Sequence, residues 1–380
     1  MLEITFWALL ILCAYSYFLY PLTLIALTRF KQSPLAAPFE PNPAPSMSLI
    51  VTAHNEAHRI REKIENSLAL TYNDAALEII IASDCSEDGT DDIVQEYQAQ
   101  GVKLVRATDR LGKEHAQLCA IKEAQGEVIV FSDVATQIPT DALSILSNYF
   151  SNPKIGSVSS EDRFINQSGD IAGEGAYVKY EMWLRKQESK LAGLVGLSGS
   201  FFAVRKDLCQ TWDIHSPSDF NTALNTASQG HIAVSAPDVL GYYQDLSDPA
   251  KEYARKTRTI IRGLTALSRN KSALNPFKNG LFAFQVISHK LMRWLEPWLL
   301  IALLITSIAA NKLGGIYSLA LTAQIAFYLA ALVAHYHQPF RNLAPIKLIY
   351  FFVQVNMAIF DASCQFLAGK RMTVWQPSIR

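Results

Sequence analysis

From Met47 to about Gly126, short uninterrupted apolar runs alternate with stretches of helical length, and three of the chain's apolar runs end alike. Ser48-Leu49-Ile50-Val51 leads into Thr52-Ala53-His54-Asn55-Glu56. Glu78-Ile79-Ile80-Ile81 leads into Ala82-Ser83-Asp84-Cys85-Ser86, and Val128-Ile129-Val130-Phe131 into Ser132-Asp133. Runs so rich in β-branched and aromatic residues predict short strands buried on both faces. Helices are expected at 57–70, 91–100 and 113–124, with a further strand at Val102-Lys103-Leu104-Val105. Alternation at this spacing predicts βαβ units and a mostly parallel sheet. Its carboxyl edge then carries all three polar clusters, and open α/β sheets bind ligands outside that edge. For any one cluster the competing explanation is a strand-end acid that merely turns the chain.

Beyond Asp133 the pattern is mixed. Helices are expected at 139–150, 174–190, 217–229 and 249–268, and strands at 155–160, 201–204 and 231–234. Residues 4–28 are almost wholly apolar and long enough to cross a bilayer. Glu3 and the length of the run argue against a cleaved signal peptide. Arg29 and Lys31 follow and place the next domain in the cytosol. The expected organisation is therefore a transmembrane anchor over 1–28, a Pro-rich linker over 29–46 and an α/β domain over 47–270. An interfacial helix over 271–294 and a membrane region over 295–380 complete it. Residues 296–311 and 315–337 read as spans. Residues 347–368 read as a second interfacial helix, because Gln354, Asp361 and Gln365 make one polar face.

Composition agrees. Half of the 380 residues are hydrophobic and the formal net charge is zero, so a soluble domain joined to membrane helices is expected and nucleic acid is not. The five cysteines show no paired spacing, which fits a reduced compartment and indicates neither a zinc site nor a disulfide framework.

Several local motifs have two readings. In Ser83 to Thr90, turn chemistry accounts for Asp88 and Gly89 but not for Asp84, which lies earlier, at the strand end. An acid there can accept a hydrogen bond from the imide N–H of a uracil-type base. Gly112-Lys113 opens a helix whose N-terminus suits an anion, or is a solvated turn. Arg255, Arg258 and Arg262 share a helical face that suits a pyrophosphate, lipid headgroups or water. Asp219, in Ser216-Pro217-Ser218-Asp219, sits where a helix cap is expected.

Taken in order, Thr52 to Glu56, Ser83 to Thr90, Gly112-Lys113 and Phe131-Ser132-Asp133 resemble the membrane-bound family 2 glycosyltransferases. Those are inverting enzymes of the GT-A fold, with synthases of cellulose, hyaluronan and exopolysaccharides among them. The resemblance implies a nucleotide-sugar site formed by Thr52, Ala53, Asn55, Glu56, Asp84, Lys113, Ser132, Asp133 and Arg258. It also implies a catalytic base at Asp219 and an acceptor-side loop at Ser198, Gly199 and Ser200. Asp133 matches the first acid of the family's metal-binding Asp-x-Asp, and Ala135 replaces the second. The acidic neighbour of the base is Ser218 here, and Thr259 stands where the family's Gln-x-x-Arg-Trp motif has Trp.

What this implies is a multi-pass inner-membrane protein with a cytosolic catalytic domain. It would transfer sugar from a nucleotide sugar, most simply a UDP-sugar, to a glycan or lipid-linked acceptor in polysaccharide biosynthesis, with Mg2+ or Mn2+ near Asp133. Other synthesis or export subunits would be its protein partners. Two alternatives are single-sugar transfer to a polyprenyl phosphate and a non-catalytic nucleotide-sugar-binding subunit.

Overall fold

A computed structural model describes residues 1–31, 43–72, 75–165, 176–244 and 249–372. Most of the expected linker, at 32–42, lies outside the described residues. The chain divides into two compact units. One holds 24–247, 265–285 and 372–380, and the other holds 1–23, 248–264 and 286–371.

The first unit is built on a seven-stranded sheet. Its strands are β1 (Met47–Ala53), β2 (Leu77–Ser83), β3 (Val102–Arg106), β4 (Val128–Asp133), β5 (Ile155–Ile165), β6 (Phe201–Arg205) and β7 (Ile232–Gln244), in the order β3-β2-β1-β4-β6-β5-β7. The apolar runs are continuous because alternate residues enter two different cores. Met47, Leu49, Val51 and Ala53 of β1 pack with Ile60, Ile64, Leu143 and Leu146, which belong to helices Ile60–Leu68 and Ala142–Phe150. Ile50, with Ile80 and Phe131, faces Ala116, Ala120 and Ile121 of helix Lys113–Glu123. Burying each such aliphatic side chain stabilises the fold by roughly 1.5–3 kcal/mol.

Strands β1 to β4 are mutually parallel. Strand β6 runs antiparallel to both β4 and β5, so the segment that enters it arrives at the carboxyl edge of its neighbours. Strand β7 is much longer than the expected 231–234. Pro237 suggests a stop, but it falls where the β5–β7 register shifts, from Ser159↔Ser235 to Glu161↔Leu240. A proline is tolerated at such an irregularity because no ladder N–H is required of it.

The second unit is helical. It holds all or part of four helical stretches, Leu2–Phe30, Pro276–Leu313, Ile316–Tyr336 and Ala344–Leu367, that are long and apolar enough to cross a membrane. Ile305, Ile308, Leu319, Leu329 and Leu332 are exposed on them, the pattern of lipid-facing surfaces. The expected division at 294 differs from the structure, where Pro276–Leu313 is one helical run with a non-helical residue at Gly280. Within that run His289 and Arg293 are buried, and the Arg293 guanidinium lies 5.0 Å from the Tyr17 ring centre. In Ala344–Leu367 the buried polar residues are Asn356 and Ser363, and Gln365 donates to Asp361 at 2.9 Å.

The approach of β4 to β1 depends on Gly126, whose N–H donates to Ser48 Oγ at 2.8 Å. A Cβ at this position would lie 2.5 Å from Ser48 N and 2.6 Å from Met47 C, both backbone atoms. Gly126→Ala should therefore destabilise the sheet unit by about 1–3 kcal/mol, the usual cost of overpacking. Thermal unfolding of the detergent-solubilised protein checks this, and an unchanged midpoint would contradict the close approach.

Candidate active site at the carboxyl edge of the sheet

Parallel register sets Thr52 level with Ala82 on one side and with Asp133 on the other. Phe201, the first residue of β6, lies opposite Ser132, so Ser198-Gly199-Ser200 enters the same edge.

Asp84 follows β2 directly and is fully buried. Its N–H donates to Ala53 O at 2.9 Å, and its carbonyl accepts from His54 Nδ1 at 2.7 Å. Carboxylate Oδ1 accepts the Gly112 N–H at 3.1 Å, whereas Oδ2 has no partner among the described residues. Glycine at 112 permits φ 102°, which a residue with a Cβ rarely adopts. A buried acceptor left without a donor costs about 1–3 kcal/mol, so Asp84 Oδ2 marks a place for a donor from outside the chain.

Thr52 Oγ1 is likewise buried without a partner among the described residues. Asn55 and Glu56 instead fasten the β1 loop to the following turn. Asn55 Oδ1 accepts the Glu87 N–H at 2.9 Å, the Glu56 N–H donates to Thr90 Oγ1 at 2.9 Å, and the Glu56 carboxylate pairs with Arg59 at 2.9 Å. Asp88 accepts from the Ala57 and Thr90 N–H groups, which bears out its turn role.

Lys113 opens its helix with Nζ 2.5 Å from Asp133 Oδ1 and 3.2 Å from Gly199 O. Burial opposes its charge. The ion pair and hydrogen bond with Asp133, aided by Glu114 and Asp219, outweigh burial and hold its pKa above the usual lysine value. The Asp133 N–H donates to Ser200 O at 2.9 Å.

Beneath Asp133 lies Lys63, which sequence reasoning missed. Its Nζ donates to Ser132 Oγ at 2.8 Å and to Thr136 O at 2.5 Å. Burial pushes its pKa down to about 7 against the pull of Asp133. The signal was available, since Ile60, Lys63, Ile64 and Ser67 form the buried face of one helix.

Two further acids were missed. Asp162 of β5 accepts from Ser198 Oγ at 2.7 Å and from Ser200 Oγ, and so holds the loop on both sides of Gly199. Glu114 accepts the Ser218 N–H at 3.4 Å and places an acid beside the helix Ser218–Ser228. That helix has Pro217 as its N-cap and no side-chain cap, so Asp219 is not a cap. No hydrogen bond from the described residues ends on the Asp219 carboxylate. A Cβ on Gly199 would stand 3.4 Å from Asp219 Oδ2, so glycine lets the loop lie against this carboxylate.

Arg258 belongs to the helical unit. Among the described residues no group of three or more His, Cys, Asp or Glu could hold a metal ion. With Ala135 next to it and Lys113 on its carboxylate, Asp133 fits only a cation that brings phosphate and water ligands of its own, as Mg2+ commonly does.

Residues 48–212 match the sequence profile described as Glycosyl transferase family 2. The chain is 27% identical over 184 residues to a beta-monoglucosyldiacylglycerol synthase of Trichormus variabilis, a match covering 46% of this chain and 39% of that protein. It is 30% identical over 220 residues to a dolichol-phosphate mannosyltransferase of Pyrococcus furiosus, covering 51% and 56%. The chain thus spans about two fifths to just over half the length of these relatives. A mannosyltransferase from Pyrobaculum calidifontis, solved in complex with GDP-Man and Mn2+, superposes with a TM-score of 0.69 at 24% identity over 97% of this chain and 100% of its own. Residues 48–212 are a family 2 glycosyltransferase domain, and the fold is GT-A.

Lys63 gives a prediction whose sign follows from proton counts. Between about pH 7 and the ordinary lysine value of 10.5, the unfolded chain binds a proton that the folded chain does not. Stability should therefore rise with pH across that window. In Lys63→Met this rise should be smaller, which the pH dependence of the unfolding temperature in both proteins measures. Identical slopes would show that Lys63 stays protonated when folded.

Proposed function

We propose that this protein transfers a hexose from a UDP-sugar to a hydroxyl of a membrane lipid or lipid-linked acceptor, with inversion at the anomeric carbon. One observation carries the reading. A single edge holds an open buried acceptor on Asp84, the cation of Lys113, and an Asp219 carboxylate free of hydrogen bonds from the described residues.

Asp84 offers one open oxygen, since Gly112 occupies the other. One open acceptor suits the single imide N–H of uracil better than the paired donors of guanine. Thr52 and Ala53 border the base from the neighbouring strand. The diphosphate is placed beside Lys113, where a buried cation offsets the charge that gathers on the leaving group. A divalent cation held by Asp133 together with the diphosphate would add Lewis-acid stabilisation there.

Asp219 takes the proton of the acceptor hydroxyl as its oxygen bonds to the anomeric carbon, and the bond from that carbon to the diphosphate breaks. Base assistance of this kind is worth roughly 10²–10⁴ in rate. The loop Ser198-Gly199-Ser200, braced by Asp162, shapes the acceptor side next to that base. Glu114 supplies an acid near the position where Ser218 lacks one. Ser132 contributes by taking the Lys63 hydrogen bond beneath Asp133. Arg258 is assigned to the diphosphate on the motif alone.

The relatives named above take their names from diacylglycerol and dolichol phosphate, which supports a lipid acceptor. The four apolar helices are long enough to cross a bilayer, and Arg29 with Lys31 supports a cytosolic side for the sheet unit.

A paired substitution separates donor binding from chemistry. Asp219→Asn should lower transfer by roughly 10²–10⁴ while UDP affinity stays unchanged. Asp84→Ala should weaken UDP binding by about tenfold or more, the worth of a charged hydrogen bond. Radiolabel transfer by purified membranes and calorimetry with UDP read the two effects. Wild-type transfer by Asp219→Asn would support a binding subunit in place of an enzyme.

A further inference from the structure

The helical unit contains a cavity of about 430 Å³ whose wall includes Tyr253, Leu300, Tyr328, Phe352, Asn356 and Asp361. Its size falls in the range of small-molecule sites, roughly 300–1,000 Å³. Most of the lining is aliphatic or aromatic, and among the described residues no lysine, arginine or histidine contributes.

Asn356 is only 5% exposed. Its Nδ2 donates to Phe352 O at 2.9 Å, and its Oδ1 has no partner among the described residues. Exchanging the amide's O and N would set two oxygens against each other, so the orientation follows from chemistry. Asp361 accepts from Gln365 at 2.9 Å and retains acceptor capacity beyond that bond. An ionisable side chain among membrane-spanning helices is costly unless a partner or a functional ligand meets it.

The polar side of the cavity is therefore rich in acceptors and, among the described residues, lacks a cation. A phosphate would face the Asp361 carboxylate with nothing in the lining to neutralise it. A hydroxyl would give Asn356 Oδ1 the donor it lacks, or Asp361 a second one, while hydrocarbon covers Leu300 and Phe352.

We propose that this cavity binds an uncharged lipid with a free hydroxyl, of the diacylglycerol type, its hydroxyl donating to the acceptors of Asn356 and Asp361. Binding stands apart from sugar transfer, so the test contains no nucleotide sugar. The full chain in phosphatidylcholine nanodiscs is labelled with a photoactivatable diacylglycerol, and 1,2-dioleoylglycerol or undecaprenyl phosphate is added as competitor. Dioleoylglycerol should suppress labelling within 292–310 or 344–367, and undecaprenyl phosphate should need at least about tenfold more. Asn356→Leu, which removes the acceptor, and Leu300→Trp, which fills the space, should each weaken labelling by about tenfold, with UDP binding as the check on folding. Equal competition by undecaprenyl phosphate, or no suppression by dioleoylglycerol, would overturn the proposal in the unaltered protein whatever the variants do. Undiminished labelling of a folded Leu300→Trp would overturn it as well.

Discussion

The ion pair between Lys113 and Asp133 joins segments that are far apart in the chain. One end is the first residue of a helix, the other is the last residue of β4, and the Gly199 carbonyl accepts from the same ammonium at 3.2 Å. Breaking the pair would strand a buried cation, which costs far more than the pair itself contributes. The Gly112-Lys113 segment beside Asp84, the end of β4 and the Gly199 loop beside Asp219 thus meet at one side chain. The Asp133 N–H bond to Ser200 O reinforces it.

That arrangement bears on two departures from the family pattern, Ala135 and Ser218. With Lys113 against Asp133, a second carboxylate at position 135 is not needed to balance charge in the ligand-free protein. With Glu114 accepting the Ser218 N–H, the start of the helix that carries Asp219 is served by an acid from another segment. Asp219 itself keeps a carboxylate that no local hydrogen bond consumes, as a base requires.

Much of this was legible in the residues. Strands β1, β2 and β4 announced themselves because burial on both faces demands continuous apolar runs, and their polar ends mark the edge. Asp84 could be separated from the turn residues because turn chemistry needs Asp88 and Gly89 but not an acid at the strand end. Asp162 was hidden because its role comes from β5 pairing beyond a register shift, which no local pattern encodes. Lys63 was hidden by the habit of reading a lysine on an amphipathic helix as solvated. Asp219 looked like a cap because the same residue types suit both tasks, and only the placed backbone separates them. Of Gln354, Asp361 and Gln365, which suggested an aqueous face on the last apolar helix, Asp361 lines a cavity.

The central claim is a single displacement in which Asp219 activates the acceptor. The most direct measurement is the anomeric configuration of the product, read by proton NMR after purified membranes are supplied with α-linked UDP-hexoses and lipid acceptors. The account predicts a β-linked product. A product that keeps the α configuration would contradict it, because one displacement with a base and no covalent intermediate cannot preserve the donor's stereochemistry.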